Sequence, residues 1–173
     1  MKNHIDLKKA KFISTSNNDL IKLLGRYIKI IKYSDLKHIT NIDELLQPPN
    51  YECILLYETS DNNGHWTCIY RYGNKINFFD SFGLKPDDEF HKITIDYRKE
   101  SGVVYPCLTY LLSDVNDPIE FNNYKLQDYA YSTCGYWCVA RLLLKSLSMY
   151  QFYKLFKSDT LNKPDDLVIL SLF

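Results

Sequence analysis

The stretch HWTCIYRYGNKINFFD, residues 65 to 80, decides the reading of this chain. Trp66–Tyr72 and Lys75–Asp80 are short runs rich in β-branched and aromatic residues, and Gly73-Asn74 between them is a two-residue hairpin turn. A two-residue loop pairs Tyr72 with Lys75 and, further along the ladder, Thr67 with Asp80. His65 lies two residues from Thr67 and so projects from the same face as Asp80, one diagonal step away, about 5 to 8 Å between Cβ atoms. Trp66 falls on the opposite face, where core packing is its first reading and the wall of a substrate channel its second.

Outward from the hairpin, Cys53–Tyr57 reads as another strand and residues 28–33 as extended. Ser16-Asn17-Asn18 marks a helix start, with an apolar stripe from Leu20 to Leu24 ending near Gly25. Asp35–Leu46 suggests a short helix or turn before Pro48-Pro49. Lys85–Tyr97 and Tyr105–Asp114 are compatible with helix or strand, and Phe121–Gln127 reads as a strand. From Cys134, CGYWCVARLLLKSLSMY predicts about four turns of buried helix, capped by Ser132 or Thr133, which puts Cys134 in the first turn. Tyr150–Phe156 and Pro164–Phe173 suggest two closing helices, the second with Asp165-Asp166 in its first turn.

At 173 residues and 46% hydrophobic content the chain suits one domain, residues 1–173. The opening MKNHIDLKKAKF lacks the apolar stretch of a signal peptide and no apolar run is long enough to span a bilayer, so no membrane role is expected. Five cysteines without a C-x-x-C pair argue against a disulfide framework and a structural zinc site, and no metal or cofactor is expected. Twenty-one basic and twenty-one acidic residues cancel, which gives no global pull on nucleic acid. Residues 1–37 hold nine Lys/Arg against three Asp/Glu, which leaves a solvated face or a weak anionic partner as readings of that end.

A thiol acts as a nucleophile when ionised, and a helix N-terminus favours that charge. Cys134 sits at such a position. Gly135 leaves backbone room for an approaching substrate, and the Cys134 amide can point at a carbonyl oxygen. His65, after the polar loop Asp61–Gly64, is placed as a partly exposed general base, with Asp80 orienting it. Gln127 can donate to an oxyanion without adding charge, although solvent exposure also explains a polar residue there.

The strings GHW (64–66), FFDSFG (78–83), Gln127 and CGYWC (134–138), in the order His, Asp, Gln, Cys and with Gln127 seven residues before Cys134, resemble the adenovirus-type (adenain-like) maturation cysteine proteases. More distantly they resemble the proteases of ubiquitin-like proteins. The resemblance implies an α+β papain-like fold in which a central mixed sheet packs against a buried helix bearing the nucleophile. It also implies Cys134 as nucleophile, His65 as base, Asp80 where adenovirus enzymes have Glu, Gln127 as oxyanion donor, and subsites selecting glycine near the cut. The adenovirus activators, DNA and a disulfide-linked peptide, are not carried over, because this chain is neutral and Cys107 lies too far from Cys134 to match the peptide-linking cysteine. Enrichment in Lys, Asn, Ile and Tyr fits an AT-rich genome such as a virophage's or a large DNA virus's. The expected role is therefore processing of capsid or scaffold precursors in the virion and at the cytoplasmic assembly site. A deconjugating protease for ubiquitin-like proteins, an acyltransferase and a non-enzymatic virion protein are the alternatives.

Overall fold

The computed structural model describes residues 6–60 and 63–173; Asp61 and Asn62 of the polar loop, and the first five residues of the basic end, lie outside them. Two short helices, α1 (Leu7–Ala10) and α2 (Asn17–Leu24), precede strand β1 (Lys29–Lys32). Ser16 caps α2 through a reciprocal box with Asp19, and Gly25 ends it in the left-handed region, as the local residue types predict. Two 3-10 turns, Tyr33–His38 and Ile42–Glu44, occupy the segment read as a short helix or turn.

Strands β2 (Glu52–Ser60), β3 (Asn63–Tyr72) and β4 (Lys75–Phe79) follow, and both helix-or-strand segments resolve to helix. The first holds the 3-10 turn Glu89–Lys92 and opens α3 (Ile95–Ser101), and the second holds α4 (Cys107–Ser113). Strand β5 (Ile119–Phe121) completes a five-stranded mixed sheet in the order β1-β2-β3-β4-β5. The outer pairs are parallel and the two central pairs antiparallel. Tyr72 pairs with Lys75 and Cys68 with Phe79, the register that the two-residue turn dictates.

Pleating sends alternate β3 residues to opposite cores. Trp66, Cys68 and Tyr70 join a cluster built on helix α5 (Cys134–Leu143), with Trp137 and Phe152. Ile69 joins Phe78, Tyr57 and Leu108 on the other side. Each fully buried large apolar side chain contributes about 1.5–3 kcal/mol, so the α5 face, where Trp137, Cys138 and Val139 are wholly enclosed, anchors the helix that carries Cys134. Among the described residues no helix is long and apolar enough to cross a membrane.

Two expectations change. The helix starting at Cys134 stops at Leu143, short of the expected four turns, and the closing helix expected over Tyr150–Phe156 is α6 (Met149–Lys157), which Ser148 caps through a box with Gln151. The continuous run of good helix formers concealed that start signal. Strand β5 ends at Phe121, so Gln127 stands on irregular chain and not in the expected strand. Asn122 starts the departure: its side chain accepts from the Tyr124 amide and donates to the Asp80 carbonyl. A last helix, α7 (Pro164–Leu170), opens on Pro164 as expected.

Candidate active site

Beyond the last ladder pair, β3 and β4 carry His65 and Asp80 side by side. His65 Nε2 lies 3.1 Å from Asp80 Oδ1, and the Asp80 side chain is fully buried. Asp80 Oδ1 also accepts from the Phe82 amide at 2.7 Å. Its other oxygen is buried without a partner among the described residues. The chain turns sharply here: the Gly83 amide donates to the Asp80 carbonyl at 2.9 Å, and Gly83 has φ of 76°. A Cβ on Gly83 would come within 2.8 Å of the Tyr124 backbone, so glycine suits this corner both for its φ and for its size.

His65 is buried, at 9% exposure, where the sequence suggested a partly open base. Phe82 stacks on its ring at 4.7 Å, and Tyr129 stacks on Phe82 at 4.6 Å, which limits rotation of the imidazole. Burial acts to lower the imidazole pKa, but the hydrogen bond with Asp80, the charge of that carboxylate and the neighbouring Cys134 thiol outweigh it and raise it to about 10. Asp80 and Cys134 are thus both partners of one ring, and both favour its protonated form.

Cys134 opens α5. The five cysteines are free thiols. Burial pushes Cys53 up to about 12 and Cys138 well above the ordinary thiol value, and it raises Cys107 as well. Those three suit a packing role, whereas Cys134 has an imidazole beside it.

Gln127, 2% exposed, is not the solvent-facing residue that one reading of the sequence allowed. Its Oε1 accepts from Ser81 Oγ at 2.6 Å, and its Nε2 donates to the Tyr131 carbonyl at 2.7 Å. The backbone amides of Leu126 and Gln127 both donate to the Ser81 carbonyl. Since an amide carries two N–H donors, one remains for an incoming group.

Trp66 takes the core-packing role that was its first reading. It is buried in the α5 cluster, donates from Nε1 to the Thr15 carbonyl at 3.1 Å, and lines a groove of about 560 Å³ with Thr15, Asn17, Ile30, Lys32 and Asp35. Gly135 differs from its expectation. A Cβ there would lie 1.8 Å from Thr15 Oγ1 and 3.0 Å from Leu20, so the space assigned to a substrate is filled by the chain's own Thr15 segment.

Sequence reasoning missed Glu89, which is buried beside the pair. Ligand-type atoms of His65, Asp80 and Glu89 all lie within 4.8 Å of one another. A divalent ion would have to displace the proton between His65 and Asp80, and also Lys92, whose Nζ sits 2.6 Å from Glu89 Oε1. No periodicity marks Glu89, which stands in a short 3-10 turn.

No protein-family model matches the chain. Among solved structures, an ASFV protease is similar at 16% identity and a TM-score of 0.42, over 83% of this chain and 57% of that one. The chain thus spans little more than half of that protease. The SUMO protease Ulp1 is similar at 15% identity and a TM-score of 0.43, over 99% of this chain and 87% of that one. ChlaDub1 from Chlamydia trachomatis is similar at 12% identity and a TM-score of 0.40, over 96% and 79%. The likeness to "Uncharacterized protein V9" of Sputnik virophage is of another order, at 39% identity over 152 residues and 86% of each chain, and the present chain belongs to the same family as that protein.

Proposed function

We propose that the chain is a cysteine endopeptidase that cleaves through a thioester acyl-enzyme. The observation that carries the reading is the single buried imidazole of His65, held 3.1 Å from Asp80, with the Cys134 thiol at the start of α5 near enough to help hold its proton. This is the nucleophile, base and orienting group of an activated thiol.

In the proposed reaction the Cys134 sulfur, its proton held by His65, adds to the scissile carbonyl. The negative oxygen that forms accepts from the free N–H of Gln127 Nε2 and from the Cys134 amide, which as the first residue of α5 has no intrahelical partner. His65 then protonates the leaving amine and the C–N bond breaks, leaving a thioester. Water, deprotonated by His65, attacks the thioester and releases the acid and the thiol. Asp80 keeps the imidazole in one tautomer and orientation throughout.

The proposed substrates are capsid or scaffold precursors cut at glycine-containing sites, with the enzyme in the virion and at the assembly site in host cytoplasm. Kinship with a virophage protein and the resemblance of the His-Trp, Asp-Ser-Phe-Gly and Cys-Gly strings to maturation proteases support this reading. A glycine-biased peptide library incubated with wild type and with Cys134→Ala, with and without DNA and capsid extract, tests it by mass spectrometry. Cuts made by wild type alone establish the peptidase and give its motif. Cleavage of a ubiquitin-like fusion but of no library peptide would replace it by a deconjugating protease, and transfer of labelled acetyl to lysine without any cut by an acyltransferase.

A further inference from the structure

Thr133 occupies the N-cap position of α5, yet its side chain makes no capping hydrogen bond. The hydroxyl is turned away and donates instead to Asp165 Oδ1 at 2.5 Å, from the first turn of α7. The same oxygen accepts from Trp137 Nε1 at 2.9 Å, one turn into α5. The other carboxylate oxygen accepts from the Asp128 amide at 2.9 Å, the residue after Gln127. Asp165 is 2% exposed, and Thr133 and Trp137 are wholly buried.

One buried carboxylate therefore joins the helix that starts at Cys134 to the segment that carries Gln127. It also holds the Thr133 hydroxyl in an orientation that makes no capping bond to α5. An N-cap threonine ordinarily accepts from the N–H of the second or third helical residue, here Gly135 or Tyr136, and so offsets part of the positive end of the helix. With Thr133 committed to Asp165, that end stays uncapped beside the Cys134 sulfur, where it favours the thiolate and a developing oxyanion.

We infer that Asp165 is a positioning residue of the active site: it keeps Thr133 from capping α5 and holds the Gln127 segment in register with Cys134. The inference rests on the cysteine-protease reading of that site. It assigns to α7 a part in the chemistry although α7 supplies no group that touches substrate.

The test follows Cys134-resolved alkylation by iodoacetamide as a function of pH, together with kcat and KM on a cleaved peptide. In Asp165→Ala the freed Thr133 hydroxyl can turn to accept from the N–H groups that open α5. Alkylation at neutral pH should fall about tenfold and its pH profile should move up. Adding Thr133→Val, which cannot cap, should restore most of that loss, a recovery that a purely structural role would not produce. Asp165→Asn keeps an acceptor for Thr133 but sets an amide donor against the Asp128 N–H. It should leave alkylation close to wild type and lower kcat about tenfold at unchanged KM. Wild-type alkylation in a folded Asp165→Ala, or no recovery on adding Thr133→Val, overturns the inference. If Asp165→Ala does not fold, equal loss of alkylation and kcat in Asp165→Asn does so. Failure of the parent reading looks different, because Cys134 would then alkylate no faster in wild type than in His65→Ala.

Discussion

Ser81 Oγ donates to Gln127 Oε1 at 2.6 Å, and the Ser81 carbonyl receives the Gln127 amide at 3.0 Å, so one residue after Asp80 holds both ends of the candidate oxyanion donor. The orientation of the Gln127 amide is set by this pair and by the Tyr131 carbonyl. Gln127→Ala should lower kcat about 10²- to 10³-fold with KM little changed, the usual cost of an oxyanion donor. Ser81→Ala, which frees the amide to rotate, should cost about tenfold. Steady-state kinetics on one peptide checks both, and an unaffected Gln127→Ala enzyme would remove that residue from the site.

Asp80→Asn keeps the volume and an acceptor for the Phe82 amide but removes the charge that orients His65. The thermal midpoint should move by only a few degrees while kcat falls about 10⁴-fold, the loss expected when an imidazole is held in the wrong tautomer. Circular dichroism and kinetics on the same sample separate the two effects. Wild-type turnover would assign Asp80 a purely structural role.

Gly135→Ala places a methyl 1.8 Å from Thr15 Oγ1, so the Thr15 segment must move. Overpacking of this kind costs about 1–3 kcal/mol, readable as a lower urea midpoint. Since Thr15 Cβ lies at 3.0 Å, Thr15→Ala in the same chain should recover part of the loss. Additive effects in the double-mutant cycle would show that the two positions do not touch.

His65 binds its proton more tightly in the folded chain, at about 10, than at its ordinary 6.5. Folding therefore favours the imidazolium, and the stability it brings is fully present below about pH 6.5 and is lost as pH rises through about 10. Urea midpoints measured from pH 6 to 10.5 should fall further for wild type than for His65→Gln. The difference isolates His65 from the other ionisable groups of the chain. Parallel curves would show that the folded chain does not hold the proton.

Local chemistry was enough to write much of this protein from its sequence. Gly73-Asn74 admits a two-residue turn, and with a side-chain period of two that turn commits Tyr72 to Lys75 and brings His65 and Asp80 to one face. Ser16 and Gly25 set the ends of α2, and Pro164 the start of α7, because caps and fixed φ act within a few residues. Other features depended on groups far apart in the chain. Gln127 looked like one more strand residue until Asn122 and Ser81, tens of residues apart, drew the backbone out of the sheet. The glycine at 135 looked like room for a substrate until Thr15 was found filling it, and Asp165 looked like a helix-dipole residue until its carboxylate was found on Thr133, Trp137 and Asp128. Glu89 joined His65 and Asp80 with no periodic signal at all. Turns, caps and alternation are decided by neighbours in sequence and can be read there, whereas the partners of a buried polar group are decided by which distant segments pack together.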